Sequence, residues 1–354
     1  LLVDHTGSNH IFFSDNREDA GIYRLYYTKL DSGGSTLIDD TRKSNLLSAS
    51  PFATAGIVDS SNNLHILAWF SNFYIKLDSN GNTLIADKYL GLDFHEYLVA
   101  IDSSSNIHLI GLASYPPSIP DYRVFYVKLD SNGNILVGPT LISDSSSSLS
   151  YAAHSPDIVV DEQNFLHVIW SDASDGTWEL YYTKLDNNGA TIIPDKRISF
   201  SSSNPASAYG RILETADKNL TVIFFKSAHL QGDLTYYRMS LDGNPFLSEL
   251  LLGIQAYSIL DIGNDHQDNL LHIVYTKDGN DQPIYYAIVN KYGIPIIKDY
   301  ELSTRATTGE SVTTFSPVIE FDNYGDASVV WVDARDVSMG YQRELYYRKI
   351  IPYL

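Results

Sequence analysis

One unit of sequence recurs along the whole chain, and this repeat constrains the fold more than any other feature. Its clearest copy, residues 155–189, contains short runs of β-branched and aromatic residues separated by corners of Asp, Asn and Gly. Such runs predict antiparallel strands joined by hairpins, which we label A to D in chain order. In this copy we expect strands at 158–161, 167–170, 180–185 and 190–198.

The unit appears seven times, and each copy of strand B begins with a polar residue. These residues are His10, His65, His108, His167, Thr221, His272 and Ser328. The shortest spacing, from His65 to His108, is 43 residues, and the longest, from His108 to His167, is 59. A four-stranded antiparallel unit that repeats every ~40–50 residues is typical of a β-propeller blade, because one such sheet cannot bury both of its faces alone.

We therefore predict an all-β fold, a seven-bladed β-propeller of four-stranded antiparallel blades. Length alone would suggest two or three domains, but the even repeat favours one domain over residues 1–354. The expected blades are 1–44, 45–91, 92–143, 144–199, 200–252, 253–303 and 304–354. The paired tyrosines of strand C, such as Tyr181 and Tyr182, face opposite sides of their sheet and are expected to pack between blades.

The count of strands leaves one blade incomplete. Strands A, B and C occur seven times but strand D only six times, so we predict a blade of three strands, or a missing strand that comes from outside this chain. The chain begins at Leu1 rather than Met, already inside a strand A. We therefore expect either that a leader has been removed or that the chain belongs to a longer protein or a larger assembly.

Charge and composition restrict the partners. The formal net charge of −19 argues against nucleic acid and against an anionic membrane surface. The absence of Cys excludes disulfides and thiolate metal sites, and no apolar run reaches the ~18 residues that a membrane helix needs. We expect an extracellular or cell-surface protein whose partners are other protein subunits or surface glycans.

The repeated histidines and aspartates are the candidate metal ligands. The histidines lie on different blades and cannot converge on one ion, so a structural hydrogen-bonding role is favoured and no metal site is predicted. The corners that begin at Asp78, Asp130 and Asp186 have a Gly three residues later and resemble part of a calcium loop. They lack the remaining carboxylates, and Asn-Gly is also what a hairpin turn requires, so we predict turns and no cofactor, with calcium as the alternative.

Candidate binding residues come from the face that carries the B–C and D–A connections, whose lengths vary while the A–B and C–D corners stay short. Variable loops on a rigid scaffold are where recognition concentrates. The candidates combine aromatic and charged side chains: Arg17, Tyr122, Arg123, Trp178, Glu179, Arg335, Tyr341 and Arg343. The segments 15–17 and 333–335 read either as a paired carboxylate–guanidinium site or as local ion pairs, and Asn219 is a candidate glycosylation site in the sequon Asn219-Leu220-Thr221.

The pattern of residues 158–189, repeated at 3–34, resembles the propeller repeats of the sialidase-like, Asp-box-related superfamily in secreted and surface proteins of bacteria and archaea. The resemblance implies the propeller fold. An Asp-box reads Ser-x-Asp-x-Gly-x-x-Trp at the C–D turn, whereas these turns lack the Ser and the Trp, and no arginine triad maps onto this chain. We therefore predict a non-catalytic structural or interaction module, with a sialidase-like glycoside hydrolase or a lectin as the alternative.

Overall fold

A computed structural model describes residues 1–19, 22–44, 54–68, 72–114, 122–143, 153–173, 177–200, 207–227, 232–257, 260–265, 267–277, 283–303, 315–333 and 344–351. It confirms the fold class, a seven-bladed β-propeller, since the strands form seven antiparallel sheets, one for each predicted blade. No helix occurs within these ranges. The chain divides into two compact units, Leu1–Phe200 and Ser201–Leu354, which hold four and three of the sheets.

The first unit contains four blades of four strands, hydrogen-bonded in chain order. Blade 1 comprises β1 (Leu2–Val3), β2 (Asn9–Asp19), β3 (Ile22–Leu30) and β4 (Thr36–Arg42). Blade 2 comprises β5 (Thr54–Val58), β6 (Leu64–Ala68), β7 (Phe73–Leu77) and β8 (Thr83–Tyr89). Blade 3 comprises β9 (Glu96–Ile101), β10 (Ile107–Ser114), β11 (Tyr122–Leu129) and β12 (Ile135–Leu141). Blade 4 comprises β13 (Ala153–Val160), β14 (Leu166–Asp172), β15 (Glu179–Leu185) and β16 (Thr191–Arg197).

The second unit contains two blades of four strands and one of three. Blade 5 comprises β17 (Ser207–Glu214), β18 (Asn219–Ser227), β19 (Gly232–Ser240) and β20 (Pro245–Ala256). Blade 6 comprises β21 (Leu260–Asp265), β22 (Leu270–Thr276), β23 (Ile284–Val289) and β24 (Pro295–Glu301). Blade 7 comprises β25 (Phe315–Phe321), β26 (Ala327–Asp333) and β27 (Glu344–Ile350). The predicted three-stranded blade is thus confirmed, and the strand it lacks within the described residues is D.

The C–D corners are capped turns, as predicted. In blade 2, the Asp78 Oδ1 atom accepts hydrogen bonds from the backbone N–H groups of Asn80 (2.9 Å) and Asn82 (2.8 Å). Gly81 follows with φ of 76°, a conformation that a residue with a Cβ adopts only with strain. Asp130 and Asp186 cap the corners of the next two blades in the same way.

A long basic side chain on strand C joins blades 1, 2, 3 and 5 to the next blade in their unit, whereas blade 6 has Ile288 at the equivalent position. Its terminal nitrogen donates to a backbone carbonyl in the C–D corner of the following blade. The pairs are Lys29 to Ser79 (2.8 Å), Lys76 to Ser131 (3.0 Å), Lys128 to Asn187 (3.0 Å) and Arg238 to Lys291 (3.0 Å). Since the carbonyl and the basic group occupy the same positions each time, this joint is part of the repeat.

The second tyrosine of strand C fills the space beside that joint, which confirms the predicted packing between blades. Tyr74 is fully buried, and its hydroxyl donates to the carbonyl of Ser131 in blade 3. Its ring lies so close to Gly133 that a Cβ there would sit 2.4 Å from the Tyr74 Cδ1 atom. Only glycine allows this approach, so the corner glycine serves both the turn and the contact between blades.

Candidate interaction surface

The structure places the first predicted site residue in a strand rather than a loop. Strand β2 continues to Asp19, so Arg17 lies within an extended hairpin. Its guanidinium contacts Asp15 and Asp40 and lies 4.7 Å from the centre of the Tyr26 ring. These contacts fit the interpretation as local ion pairs. Arg335, the other half of the proposed pair, lies outside the described residues.

The candidates of blades 3 and 4 contact neighbours within their own unit. The Tyr122 ring meets the His95 ring edge-on at 4.8 Å, and Arg123 is buried. The Trp178 ring lies 4.8 Å from that of His154. Tyr341 and Arg343 lie outside the described residues.

Glu179, also a candidate, has the environment of a core residue. It is fully buried at the start of β15, where its carboxylate accepts hydrogen bonds from Arg197 Nη2 (2.9 Å) and Ser199 Oγ (2.5 Å). The Ser199 Oγ atom in turn accepts the backbone N–H of Leu180 at 2.7 Å. The carboxylate therefore ties the start of strand C to the end of strand D.

The glycosylation candidate Asn219 is the first residue of β18, just after an A–B corner. Its Nδ2 atom donates to the carbonyl of Asp217 at 3.0 Å, and the sequon residue Thr221 is fully buried. Modification of Asn219 stays a prediction.

The strand B histidines form a repeated buried network, which confirms the predicted hydrogen-bonding role. In blade 4, the His167 Nε2 atom lies 3.1 Å from Asp161 Oδ2 and the Nδ1 atom lies 2.9 Å from the Tyr182 hydroxyl. Blades 1 and 2 repeat both contacts. The sequence carried a signal for the acid partner that our sequence analysis did not use, since an Asp stands six residues before the histidine in each of the first four blades.

Burial determines the charge of these groups. It lowers the pKa of His108 and of His272 to about 4, so both side chains are neutral at physiological pH. Burial opposes ionisation of Asp4, but hydrogen bonds from Thr6, His10 and the backbone of Ser8 outweigh it and lower the pKa of Asp4 to about 2. The network is a buried structural element of the first four blades, not an open site.

Strand D is the exposed strand of every complete blade, and its second residue is a solvent-exposed apolar one in all six. These residues are Leu37, Leu84, Leu136, Ile192, Phe246 and Ile296. Blade 6 has by far the richest set, which we call the blade 6 strip: Tyr292, Ile294, Ile296, Ile297 and Tyr300, exposed between 37 and 64 %. An exposed apolar cluster of this kind is a candidate interaction surface.

The blade 6 strip adjoins the incomplete blade. Arg348 on β27 donates from Nη1 to the carbonyl of Leu302 (2.7 Å) and from Nη2 to the Tyr300 hydroxyl (3.2 Å). Arg348 therefore connects β27 of blade 7 to the end of strand D in blade 6, where Tyr300 lies. Sequence reasoning missed the strip, because Pro-Ile-Ile at the start of β24 looks like a buried strand.

A second feature that sequence reasoning missed is a pair of carboxylates on adjacent A strands of the second unit. The Asp261 Oδ2 atom on β21 accepts the backbone N–H of Ile319, the residue before Glu320 on β25, at 3.0 Å. Burial raises the pKa of Asp261, and burial together with the nearby Asp261 charge raises the pKa of Glu320 to about 7. Arg211 on β17 opposes the shift at Asp261. These residues are far apart in sequence and belong to no motif, so only the packing of blade 6 against blade 7 brings them together.

Among the described residues, no group of three or more His, Cys, Asp or Glu side chains is arranged to hold a metal ion. None of them belongs to a helix that could cross a lipid bilayer.

Comparison with solved structures agrees with the fold. A streptogramin B lyase superposes with a TM-score of 0.52 at 15 % identity, covering 91 % of this chain and 94 % of the lyase. A catalytically inactive virginiamycin B lyase from Staphylococcus aureus, crystallised with quinupristin, gives 0.54 at 10 % identity, with coverages of 96 and 88 %. A protein of unknown function from Dyadobacter fermentans gives 0.56 at 10 % identity, with coverages of 99 and 96 %. At this identity the likeness concerns the fold alone.

No protein-family model matches the sequence, and no curated protein matches it. The finer resemblance to the sialidase-like repeats therefore stays a prediction.

Proposed function

We propose that this propeller is a non-catalytic structural or protein-interaction module of an extracellular or cell-surface assembly, in which another subunit covers the outer surface of blades 6 and 7. The observation that carries the proposal is the blade 6 strip beside the three-stranded blade. Apolar area that moves from water into an interface contributes about 25 cal/mol per Å². Five large apolar side chains on one strand and its corner therefore favour association strongly.

The extracellular location is supported by the acidity of the chain, with a net charge of −19, and by its resemblance to repeats of secreted proteins. Electron cryo-microscopy of the assembly purified from its source tests both the partner and the location. We expect a neighbouring subunit over Ile294 and Ile296. An isolated propeller with this face bare would overturn the proposal.

Substitutions in the blade 6 strip test the same contact directly. The double variant Ile294→Asp/Ile296→Asp should abolish incorporation into the assembly, because two carboxylates would be buried in the contact. Leu37→Asp is the matched control, since Leu37 occupies the same position of strand D in blade 1 and is equally exposed. Loss of incorporation in both variants, or in neither, contradicts a contact located on blade 6.

The carboxylate pair favours a second candidate function, a carbohydrate-active enzyme of the sialidase-like kind or a lectin. Glycoside hydrolysis uses a pair of carboxyl groups, one of which has a raised pKa and acts as the acid. Asp261 and Glu320 both have a raised pKa, and the Asp261 charge contributes to the shift at Glu320. Glycan arrays and hydrolase assays on the purified protein test this candidate. Hydrolysis that disappears in Glu320→Gln would establish the enzyme, whereas no turnover and no glycan retention would remove it.

A further inference from the structure

We infer that the partner on the blade 6 strip is a second copy of this chain, held by an antiparallel contact whose two-fold axis passes through Ile296. This inference rests on the proposed function and names the subunit that covers the strip. It is carried by the order of the side chains around Ile296, by the charges at the two ends of the strip and by the exposed area.

The strip has the same chemistry in both directions from its centre. Tyr292 stands four residues before Ile296 and Tyr300 stands four residues after it, and both tyrosines are exposed. The immediate neighbours of Ile296 are Pro295 and Ile297, one apolar residue on each side. A two-fold interface brings one surface against an identical one, so a strip with this symmetry is suited to pack against itself.

The charges at the ends of the strip favour the same arrangement. Lys291 stands five residues before Ile296 and Glu301 five residues after it, and both are exposed. Among the residues that the structure describes, neither takes part in an ion pair, and the Lys291 Nζ atom lies 5.4 Å from the centre of the Tyr292 ring. Antiparallel packing about Ile296 brings Lys291 of each copy near Glu301 of the other, so the contact between opposite charges is made twice.

The tyrosines at the two ends are specific to blade 6 and are not part of the repeat. The other D strands and their corners have the same framework, yet none of the equivalent residues is aromatic. These residues are Gly33 and Thr41, Asn80 and Lys88, Asn132 and Thr140, Asn188 and Lys196, and Asp242 and Leu250. Tyrosine is among the residues enriched in protein interfaces, so this pair supports a contact made by blade 6 alone.

The local charge of the strip permits two acidic copies to meet there. The chain carries a net charge of −19, so two copies repel each other over most of their surfaces. Between residues 291 and 301 two basic and two acidic side chains cancel, and Asp299 already pairs with Lys277 at 2.7 Å. The repulsion between the copies is therefore weak at this apolar face.

The size of the strip predicts a reversible dimer. Its five side chains are about half exposed and offer on the order of 100 Å² each. Two copies would then bury on the order of 1,000 Å² in total, the lower limit of a specific interface. Side chains rather than paired backbones make the contact, because Pro295 has no N–H and β24 joins β23 with register shifts.

Sedimentation velocity of the purified chain between ~1 and ~100 μM measures this dimer. We expect a species of twice 39.6 kDa that dissociates on dilution. Ile296→Asp should abolish the dimer, because two carboxylates would meet at the axis. Leu84→Asp is the matched control, since Leu84 occupies the same position of strand D in blade 2 and is equally exposed. This control should leave the dimer intact.

A charge exchange tests the two-fold axis. Lys291→Glu and Glu301→Lys should each weaken the dimer at least about tenfold, because each places like charges opposite each other at both ends of the contact. The double variant Lys291→Glu/Glu301→Lys should restore the dimer, since opposite charges meet again. Binding to a different protein would not be restored in this way, because only a second copy carries both exchanges.

Three results would overturn the inference. The first is a chain that stays monomeric over the whole concentration range. The second is a dimer that persists in Ile296→Asp, since that dimer would use another surface. The third is a double charge exchange that dimerises no better than the single ones, since the axis would then not pass through Ile296.

The two proposals fail separately. If the purified chain is monomeric but Ile294→Asp/Ile296→Asp still prevents incorporation, the partner is another protein, and the proposed function stands without the second copy. If the dimer forms through Ile296 but Ile294→Asp/Ile296→Asp is incorporated normally, the strip is not the contact in the assembly. The proposed function then loses its basis, while self-association keeps its support.

Discussion

Burial keeps the histidines that begin strand B neutral by lowering their pKa. His10, His65, His108 and His272 all have a pKa below the ordinary 6.5, and burial is the main cause at each of them. A neutral imidazole can donate to one partner and accept from the other, and this is how His167 joins Asp161 to Tyr182. Protonation would place a charge on a fully buried side chain.

This gives a pH dependence of stability. Below pH 6.5 the unfolded chain binds protons at these histidines, whereas the folded chain does not do so until about pH 4 at His108 and His272. The free energy of unfolding should therefore fall as the pH drops from 6.5 to 4, with a further loss near pH 2 as Asp4 is protonated. Thermal unfolding at pH 7.5, 5.5 and 4.5 checks this, and a melting temperature constant over that range would contradict it.

A variant of Glu179 can show whether this residue has a structural role or a binding role. Because Glu179→Ala leaves Arg197 and Ser199 without their buried acceptor, we expect a loss of roughly 3 kcal/mol in the free energy of unfolding. The exposed Glu162 in the A–B corner of the same blade is the control, and Glu162→Ala should stay within about 0.5 kcal/mol. Urea unfolding of both variants gives the comparison. Unchanged stability in Glu179→Ala would return Glu179 to the list of binding candidates.

At the scale of the strand and the corner, the sequence predicted most of the fold, because the alternation of apolar runs and Asp-Asn-Gly corners is local. Strand C from Leu180 and its corner at Asp186 are found where the pattern predicts them. The extension of β2 through Arg17 was missed, since Asp, Asn and Arg normally indicate a loop. Paired backbone groups extend that hairpin despite its polar composition.

The corner glycines provide a test at this scale. Gly133→Ala would require a Cβ at φ of 69° and 2.4 Å from the Tyr74 ring, so we expect a loss of about 2–4 kcal/mol. Gly138, in strand D of the same blade, has nothing within 4 Å of an added Cβ. Gly138→Ala should therefore be neutral to within about 0.5 kcal/mol. Similar losses in the two variants would show that the Tyr74 contact does not determine the cost.

At the scale of the whole molecule, the repeat could be predicted from the sequence, but the residues that meet at the surface or between blades could not. Ile297 and Ile193 occupy the same position of equivalent strands, yet Ile297 is exposed and Ile193 is half-buried, and nothing in Pro-Ile-Ile or Thr-Ile-Ile tells them apart. Asp261 and Glu320 are brought near each other only by the adjacency of two A strands. Features that depend on the neighbouring strand or blade leave no periodic pattern in the sequence of the strand itself.

The net charge of −19 makes stability depend on salt. Screening of the repulsion among carboxylates should raise the melting temperature by a few degrees between ~0.02 and ~0.5 M NaCl. The same series at matched ionic strength in CaCl₂ tests the calcium alternative for the corners at Asp78, Asp130 and Asp186. Equal shifts are expected for simple turns, and a larger shift with calcium would show that the ion binds.

The joint between blades has a consequence for how such a chain can evolve. Lys29, Lys76 and Lys128 each donate to a main-chain carbonyl of the neighbouring blade, a group that every residue possesses. A duplicated copy of the unit would therefore meet its new neighbour with the correct chemistry already in place. Gene duplication could therefore add a blade that contacts its neighbour through the existing joint. The side chains of the outer surface would remain free to diverge.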